Sequence, residues 1–197
     1  HHGVEQLADM KLIDLHEHPF FLERYKMHQS TAASFMEIER RLRERQRDLS
    51  PAPSMTLAQA MKSVGGRLKP WGPVITELLE KRIPYQIETG SESLVRRIRI
   101  RVTDVAHVSE LTFTPSAVRR FAFAKMMSKK DAMEALNISA RQGTKLFASV
   151  ETEKGCRAKT VDVRWTLDLA ARCISVAELA ARRGVSARTA YLDAVRA

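Results

Sequence analysis

The residues with the clearest potential for chemistry are His16 and His18, which flank a glutamate in the stretch LIDLHEHPF at 12–20. Two histidines in this spacing, directly after an apolar run, could supply the first two ligands of a metal-dependent hydrolase. Such a site needs further histidines, a lysine or carboxylate and an aspartate, on later strands of a barrel of about 250 residues. Only His28 and His107 follow His18 in this chain of 197 residues. We therefore expect no metal site, and we interpret His16 and His18 as a helix-end or surface pair.

The sequence shows no other arrangement that is typical of catalysis. It has no Gly-x-Ser-x-Gly motif and no phosphate-binding glycine loop. Its two cysteines, Cys156 and Cys173, lack the spacing of zinc ligands, and neither has a catalytic neighbourhood. Two scattered thiols fit a reducing cytosol. We predict that the chain is not an enzyme and that it binds no cofactor and no metal.

Composition and charge favour a globular protein with a polyanionic partner. With 44% hydrophobic and 28% charged residues, the chain can bury a core. It has no apolar run of about 18 residues, so we expect no transmembrane span. The formal net charge is +10, and the segment 94–130 holds nine Lys or Arg against two acids. Such a concentration favours a polyanionic partner, nucleic acid or a membrane, although a solvated basic face has the same composition. Of these we expect nucleic acid and no membrane.

One ten-residue phrase occurs three times, at 56–65 (TLAQAMKSVG), 128–137 (SKKDAMEALN) and 175–184 (SVAELAARRG). Each copy begins with Ser or Thr and has Gln, Asp or Glu three places later, as in a capping box at a helix N-terminus. Each ends in Gly or Asn, which tolerates the left-handed conformation of a helix C-cap. Each phrase therefore predicts one short helix with a defined start and stop.

A second helix is predicted after each phrase. Asn137 and Gly184 are followed by ISARQG and VSARTA, in which Ser139 and Ser186 can cap a new helix. After the first phrase the turn is longer, and WGPVITELLEKRI predicts a helix with Pro73 in its first turn. Helix, tight turn and helix form the helix-turn-helix motif, whose second helix enters the major groove of DNA. The chain is thus predicted to carry three such units.

Two β-hairpin wings are predicted after the first two helix pairs. Residues 83–89 and 94–102 are rich in β-branched and alternating side chains, with a turn between them. Residues 150–164 predict a second hairpin that turns at EKGC.

Three arginines alternate along the second strand of the first predicted wing. Arg97, Arg99 and Arg101 would project from one face of that strand, where they could contact phosphates or a minor groove. The alternative is that they protect an exposed strand edge from pairing.

Prolines and serines in DLSPAPSM, at 48–55, suggest a linker near the first quarter of the chain. The predicted organisation is an N-terminal helical segment (1–49, with a possible tag remnant at 1–3), a linker (50–55), a winged helix-turn-helix (56–112), a second winged helix-turn-helix (113–170) and a C-terminal helix-turn-helix (171–197).

Side chains suited to DNA contacts occur in all three predicted units. Arginine can read guanine, glutamine can read adenine, and Ser, Thr, Tyr and Lys can hold phosphates. The predicted contacts are Arg67 and Lys69 in the first unit, Arg97, Arg99 and Arg101 on its wing, Arg141, Gln142, Thr144 and Lys145 in the second unit, Lys154, Arg157 and Lys159 on its wing, and Ser186, Arg188, Thr189 and Tyr191 in the third unit.

The segment 55–108 resembles excisionase- and MerR-like winged helix-turn-helix modules. The tandem arrangement over 55–197 resembles the C-terminal helix-turn-helix arrays of TniQ/TnsD-type transposition proteins, which select target DNA. The first resemblance rests on residues 56–65, 83–84 and 99–105. The zinc-binding cysteine clusters of the N-terminal domain of the TniQ/TnsD family are missing from this sequence. The resemblance implies binding to target DNA and a recombinase or another transposition component as the protein partner.

The sequence thus predicts a mainly α protein with tandem helix-turn-helix units, two of them with small β-hairpin wings. We predict that it binds double-stranded DNA sequence-specifically, marks a target site and recruits a protein partner, in transposition, recombination or their regulation. We expect it in the cytoplasm, associated with the nucleoid. The alternatives are a helical protein-interaction scaffold or a transcriptional regulator of a mobile element, with RNA binding third. The sequence leaves the oligomeric state, the target sequence and the partner enzyme open.

Overall fold

A computed structural model describes residues 2–14, 29–115, 126–154 and 160–196 of the chain. These residues form two compact units, which are described separately. The N-terminal unit comprises the described parts of 3–58 and 70–122, and the C-terminal unit comprises those of 1–2, 59–69 and 123–197. Both units are mainly helical and contain one small antiparallel sheet, which confirms the predicted mainly α class.

The N-terminal unit combines short helices with a three-stranded sheet. Its elements are α1 (His2–Asp9), α2 (Gln29–Arg45), β1 (Ser54–Thr56), the start of α3 (Leu57–Ala60), α4 (Trp71–Leu79), β2 (Tyr85–Ile87), α5 (Leu94–Arg97), β3 (Ile98–Arg101), a 3-10 helix (Val102–Asp104) and α6 (Val105–Glu110). In α2, Ile38 and Leu42 are buried one turn apart, as the apolar spacing of this segment predicts.

Strand β3 is the central strand of the sheet, whose order is β1-β3-β2. It pairs antiparallel with both neighbours, and Ile98 and Ile100 are fully buried in alternation with the arginines. The hydroxyl of Tyr85, which lies opposite Ile100, donates to the Leu42 carbonyl at 2.7 Å. The interpretation of the arginines as protection for an exposed edge is therefore wrong, because both edges of β3 are paired.

The antiparallel pair β2–β3 confirms a hairpin in this region, but the second strand is shorter than predicted. Residues 94–97 form one turn of helix, and the strand starts at Ile98. Leu94 and Val95 are adjacent apolar residues, which a strand with one buried face cannot accommodate, so the alternation begins only after them. Within the predicted linker, Ser54 and Met55 pair in β1 with Arg101 and Ile100.

The C-terminal unit is built from helices and a two-stranded sheet. Its elements are the end of α3, a 3-10 helix (Met61–Ser63), β4 (Met126–Ser128), α7 (Lys129–Ala135), α8 (Ala140–Lys154), β5 (Thr160–Asp162), α9 (Val163–Arg172), α10 (Val176–Arg183) and α11 (Ala187–Arg196). Its buried core includes Met127, Phe147 and Val161. The Phe147 and Trp165 rings meet edge to face, with centroids 6.4 Å apart.

The predicted hairpin over 150–164 is wrong in its first strand. Residues up to Lys154 continue α8, and β5 pairs instead with β4, a strand that directly precedes the second phrase. Glutamate and lysine in VETEK are good helix formers and extend the helix that precedes them. The partner strand lies about 30 residues earlier in the chain, which a local pattern does not reveal.

Some predictions fall outside the described residues. These are the pair His16 and His18, the second half of the predicted turn at EKGC, and the predicted contacts Arg157 and Lys159. Just before the first of these gaps, Ile13 is buried at 4% exposure. Among the described helices, none is both long enough and apolar enough to cross a membrane.

Candidate nucleic-acid interface

The starts of α7 and α8 and the turn between them lie at the residues that the sequence predicts. The Ser128 hydroxyl oxygen caps α7 by accepting from the Asp131 backbone N–H at 3.0 Å. Asn137 ends the phrase in the left-handed region, with φ of 51°. Ser139 then caps α8 by accepting from the Gln142 N–H at 3.3 Å. Short polar side chains thus fix both the turn and the start of the second helix.

The helix pair α10–α11 follows the same plan. Ser175 caps α10 by accepting from the Glu178 N–H at 3.1 Å, and Gly184 ends the helix with φ of 65°. The Ser186 hydroxyl oxygen accepts from the Thr189 N–H at 3.1 Å and so caps α11. The N–H of Val185 donates back to the Ala180 carbonyl at 3.1 Å, which closes the turn.

The first phrase departs from this plan at its C-terminal end. Its helix α3 passes into a 3-10 helix that ends at Ser63, and the left-handed residue is Gly66, with φ of 73°. The prediction of a left-handed C-cap at Gly65 is therefore wrong. Gly65 is needed for another reason, because a Cβ there would lie 1.9 Å from a carboxylate oxygen of Glu178.

Three of the predicted DNA contacts are exposed cations near the start of the second helices. Arg141 and Lys145 lie in the first two turns of α8, and Arg188 lies in the first turn of α11. None of the three has a hydrogen-bond or ion-pair partner among the described residues. They are available to bind phosphates or base edges.

The neutral residues of the predicted set make local hydrogen bonds. The Gln142 side-chain oxygen accepts from the Ser139 N–H and hydroxyl, both at 2.9 Å, which completes a capping box. The Thr144 hydroxyl donates to the Ala140 carbonyl at 2.9 Å. The hydroxyls of Ser186 and Thr189 are 2.9 Å apart. Gln142 can therefore use this oxygen to bind an adenine only if its hydrogen bonds from Ser139 are broken.

The three arginines around β3 are held within the N-terminal unit. Arg97 lies at the end of α5 and forms an ion pair with Glu39 at 3.0 Å. Arg99 donates to the Ser54 carbonyl at 2.8 Å. The Nε of Arg101 is buried and has no hydrogen-bond partner among the described residues. Arg97 and Arg99 therefore make contacts within the unit, and only their remaining N–H groups could contact a duplex.

Lys69 is buried rather than exposed, with 2% of its surface accessible. Its ammonium group donates to the carbonyls of Met61, at 2.7 Å, and Val64, and to the side-chain oxygen of Asn137, at 2.5 Å. Burial lowers the pKa of Lys69 to about 8, against the opposing attraction of Glu134 and Glu178.

The lowered pKa of Lys69 predicts a rise in stability at alkaline pH. The unfolded chain keeps this lysine protonated up to about pH 10.4, whereas the folded protein releases the proton near pH 8. Because the unfolded state binds more protons in this window, the free energy of unfolding is expected to increase from pH 8 to about pH 10. Urea titrations at several pH values would measure this increase in the free energy of unfolding. A Lys69→Met variant should lack the rise, and a rise that persists in the variant would assign it to other groups.

The remaining predicted contacts divide between exposed, half-buried and undescribed residues. Tyr191 is 56% exposed on α11, and Arg67 is half-buried. Lys154 is the last residue of α8. Arg157 and Lys159 lie outside the described residues.

Gly143 is a residue whose role the sequence analysis missed. A Cβ at this position in α8 would lie 2.3 Å from the Met133 sulfur, so the glycine lets α7 and α8 approach closely. The sequence signal for this role is a glycine inside a helical pattern. Glycine in a helix interior costs about 1 kcal/mol relative to alanine, so its presence there indicates a packing requirement.

Comparisons of the chain with protein families, with curated proteins and with solved structures found no match. Within the described ranges, no group of three or more His, Cys, Asp or Glu side chains is arranged to hold a metal ion.

Proposed function

We propose that this chain is a sequence-specific double-stranded DNA-binding protein that marks a target site and recruits a partner protein. The setting we propose is DNA transposition or recombination, or the regulation of a mobile element, as in TniQ/TnsD-type target selection. In this proposal, the pairs α7–α8 and α10–α11 act as helix-turn-helix motifs, with α8 and α11 as the helices that enter the major groove.

The observation that carries the proposal is the placement of unpaired cations on both second helices. Arg141 and Lys145 on α8, and Arg188 on α11, are exposed and have no partner among the described residues. Other basic residues of the same unit are used internally. Lys69 is buried, and Arg182 pairs with Glu178 at 2.7 Å. Recognition helices keep their cations available near their N-terminal ends because these ends face the bases and phosphates.

The first test is the salt dependence of binding to duplex DNA. If the three cations each neutralise a phosphate, the logarithm of the affinity should fall with the logarithm of the salt concentration with a slope of about −3 or steeper. Affinity should then fall on the order of 40-fold between about 50 and 200 mM salt. Fluorescence anisotropy with a labelled duplex measures this slope. A flat dependence, or no binding at low salt, would contradict the proposal.

A second candidate function is a protein-interaction scaffold, and the surface of α11 favours it. Tyr191, Leu192 and Val195 lie on one face of this helix and are 56%, 42% and 67% exposed. Ala190, on the opposite side, is the buried residue of α11. An exposed apolar face of this kind is typical of a protein contact. The same salt titration separates the two functions, because a scaffold without phosphate contacts gives no steep slope.

A further inference from the structure

A polar cluster in the interior of the C-terminal unit joins the three repeated phrases. It consists of the side chains of Lys69, Asn137, Glu178 and Arg182 and the backbone carbonyls at the end of the first phrase. Lys69 and Glu178 are 2% and 4% exposed, so these two charged groups are shielded from water, whereas Asn137 is half-buried and the Arg182 side chain is 51% exposed. All three N–H donors of the Lys69 ammonium group have acceptors, one in the second phrase and two in the first.

Asn137 connects the other two phrases through its side chain. Its amide nitrogen donates to the Val64 carbonyl at 2.9 Å and to a carboxylate oxygen of Glu178 at 3.1 Å. The other oxygen of Glu178 accepts from Arg182 at 2.7 Å. Arg182 in turn donates to the Ser63 carbonyl at 3.2 Å. The second phrase is therefore hydrogen-bonded to both the first and the third.

These contacts lie at positions that determine the orientation of the helix pairs. Asn137 is the left-handed residue of the turn between α7 and α8. Glu178 is in the first turn of α10. The turn that orients α8 is thus hydrogen-bonded directly to the helix on which α11 folds back. A buried and satisfied polar network permits one arrangement of its members, since any slip leaves a charged group without partners.

On the basis of the proposed DNA-binding function, we propose that the helix pairs α7–α8 and α10–α11 together recognise one composite DNA site. The two DNA segments that they contact have a fixed spacing, and the polar cluster sets that spacing. Two helix-turn-helix motifs on a flexible tether would accept many spacings, whereas motifs joined through buried hydrogen bonds accept one.

The test begins with duplexes selected from a randomised pool by the full chain and footprinted to locate the protected segments. One or five base pairs are then inserted between these segments. Each inserted pair moves the second segment by 3.4 Å and rotates it by about 35°. Binding of the unmodified chain is expected to weaken at least tenfold with either insertion. Equal affinity for the inserted duplexes, or a footprint with one protected segment, would overturn the proposal.

The variant Asn137→Gly tests the role of the cluster. Glycine keeps the left-handed turn but removes the side-chain hydrogen bonds to Val64, Glu178 and Lys69. The loss of affinity caused by an insertion is expected to be at least threefold smaller in this variant than in the unmodified chain. Val185→Gly, which alters the other turn without touching the cluster, should keep the full penalty. If Asn137→Gly does not fold, Glu178→Ala removes the same contact from the other partner.

The outcomes are distinguishable. An unchanged penalty in folded Asn137→Gly or Glu178→Ala protein would mean that the cluster does not set the spacing. Failure to bind any duplex would overturn the DNA-binding function itself, and this inference with it. Binding without spacing dependence would overturn this inference alone.

Discussion

Replacing Lys69 with methionine is expected to lower the free energy of unfolding of the C-terminal unit by about 3 kcal/mol at pH 7. The variant loses the three hydrogen bonds of the ammonium group, to the carbonyls of Met61 and Val64 and to the Asn137 side-chain oxygen. The Val64 carbonyl keeps the Asn137 amide as a donor, and the Met61 carbonyl keeps the Val64 N–H. It also leaves the carboxylates of Glu134 and Glu178 without the nearby positive charge. Methionine fills much of the volume of the lysine stem, so the loss is mainly electrostatic.

Two opposing effects decide the size of this change. Removing the buried charge relieves a net cost of about 3 kcal/mol, which corresponds to the lowering of the Lys69 pKa from 10.5 to about 8 by burial, after the attraction of Glu134 and Glu178 is included. Against this, the variant loses three hydrogen bonds from the charged ammonium group, and each contributes about 2 kcal/mol. The lost hydrogen bonds therefore outweigh the relief of desolvation.

Urea denaturation followed by fluorescence measures this effect. In a Trp71→Phe background the emission comes from Trp165, which lies in the C-terminal unit beside Phe147. The matched control is Lys62→Met, because Lys62 is exposed in the same segment, and its change should stay within about 0.5 kcal/mol. A Lys69→Met protein as stable as the unmodified chain would show that charge burial dominates at this site.

The double substitution Arg141→Ala and Lys145→Ala is expected to weaken duplex binding on the order of 50-fold at about 0.15 M salt. Both side chains are exposed on α8 and have no partner among the described residues, so their removal leaves the fold intact. The salt slope should become less negative by about 2, because about 0.9 is lost with each phosphate contact.

The matched control for α8 is Arg172→Ala. Arg172 is also exposed in the C-terminal unit, but it pairs with Asp168 at 2.5 Å one turn earlier on α9. This variant changes the net charge without removing a proposed contact, so its affinity should stay within about threefold of the unmodified chain. Because the control removes one positive charge and the double variant two, a loss in Arg172→Ala of half the size on a logarithmic scale would indicate that net charge, and not α8, determines binding. Unchanged binding in the double variant would remove α8 from the interface.

The parts of the fold that depend on neighbours in sequence were predictable. Serine at 128, 139, 175 and 186 caps a helix in each case, and Asn137 and Gly184 adopt the left-handed conformation. These features depend on one side chain and the backbone within three residues of it, so local rules are sufficient. The alternation in β3 was predictable for the same reason.

The parts that depend on distant residues were not predictable. The pairing of β5 with β4 joins segments about 30 residues apart, and no local pattern selects that partner. Lys69 has the sequence context of an exposed cation, because its acceptors come from a 3-10 turn and from Asn137, 68 residues away. The candidate contacts on α8 and α11 were predictable as exposed side chains at helix starts. Whether a given basic residue is internally paired depends on tertiary contacts.

The close approach of Gly65 and Glu178 has a consequence for the divergence of this sequence. A side chain at 65 would occupy the space of the Glu178 carboxylate, since even a Cβ would lie 1.9 Å from it. These two positions, 113 residues apart, are therefore free to change only in concert, with a shorter residue at 178 accompanying any larger one at 65. A Cβ at Gly184 would have no atom of the described residues within 4 Å, so this position is restricted by its φ of 65° and can change to asparagine independently. Two glycines that end copies of the same phrase are thus under different evolutionary constraints.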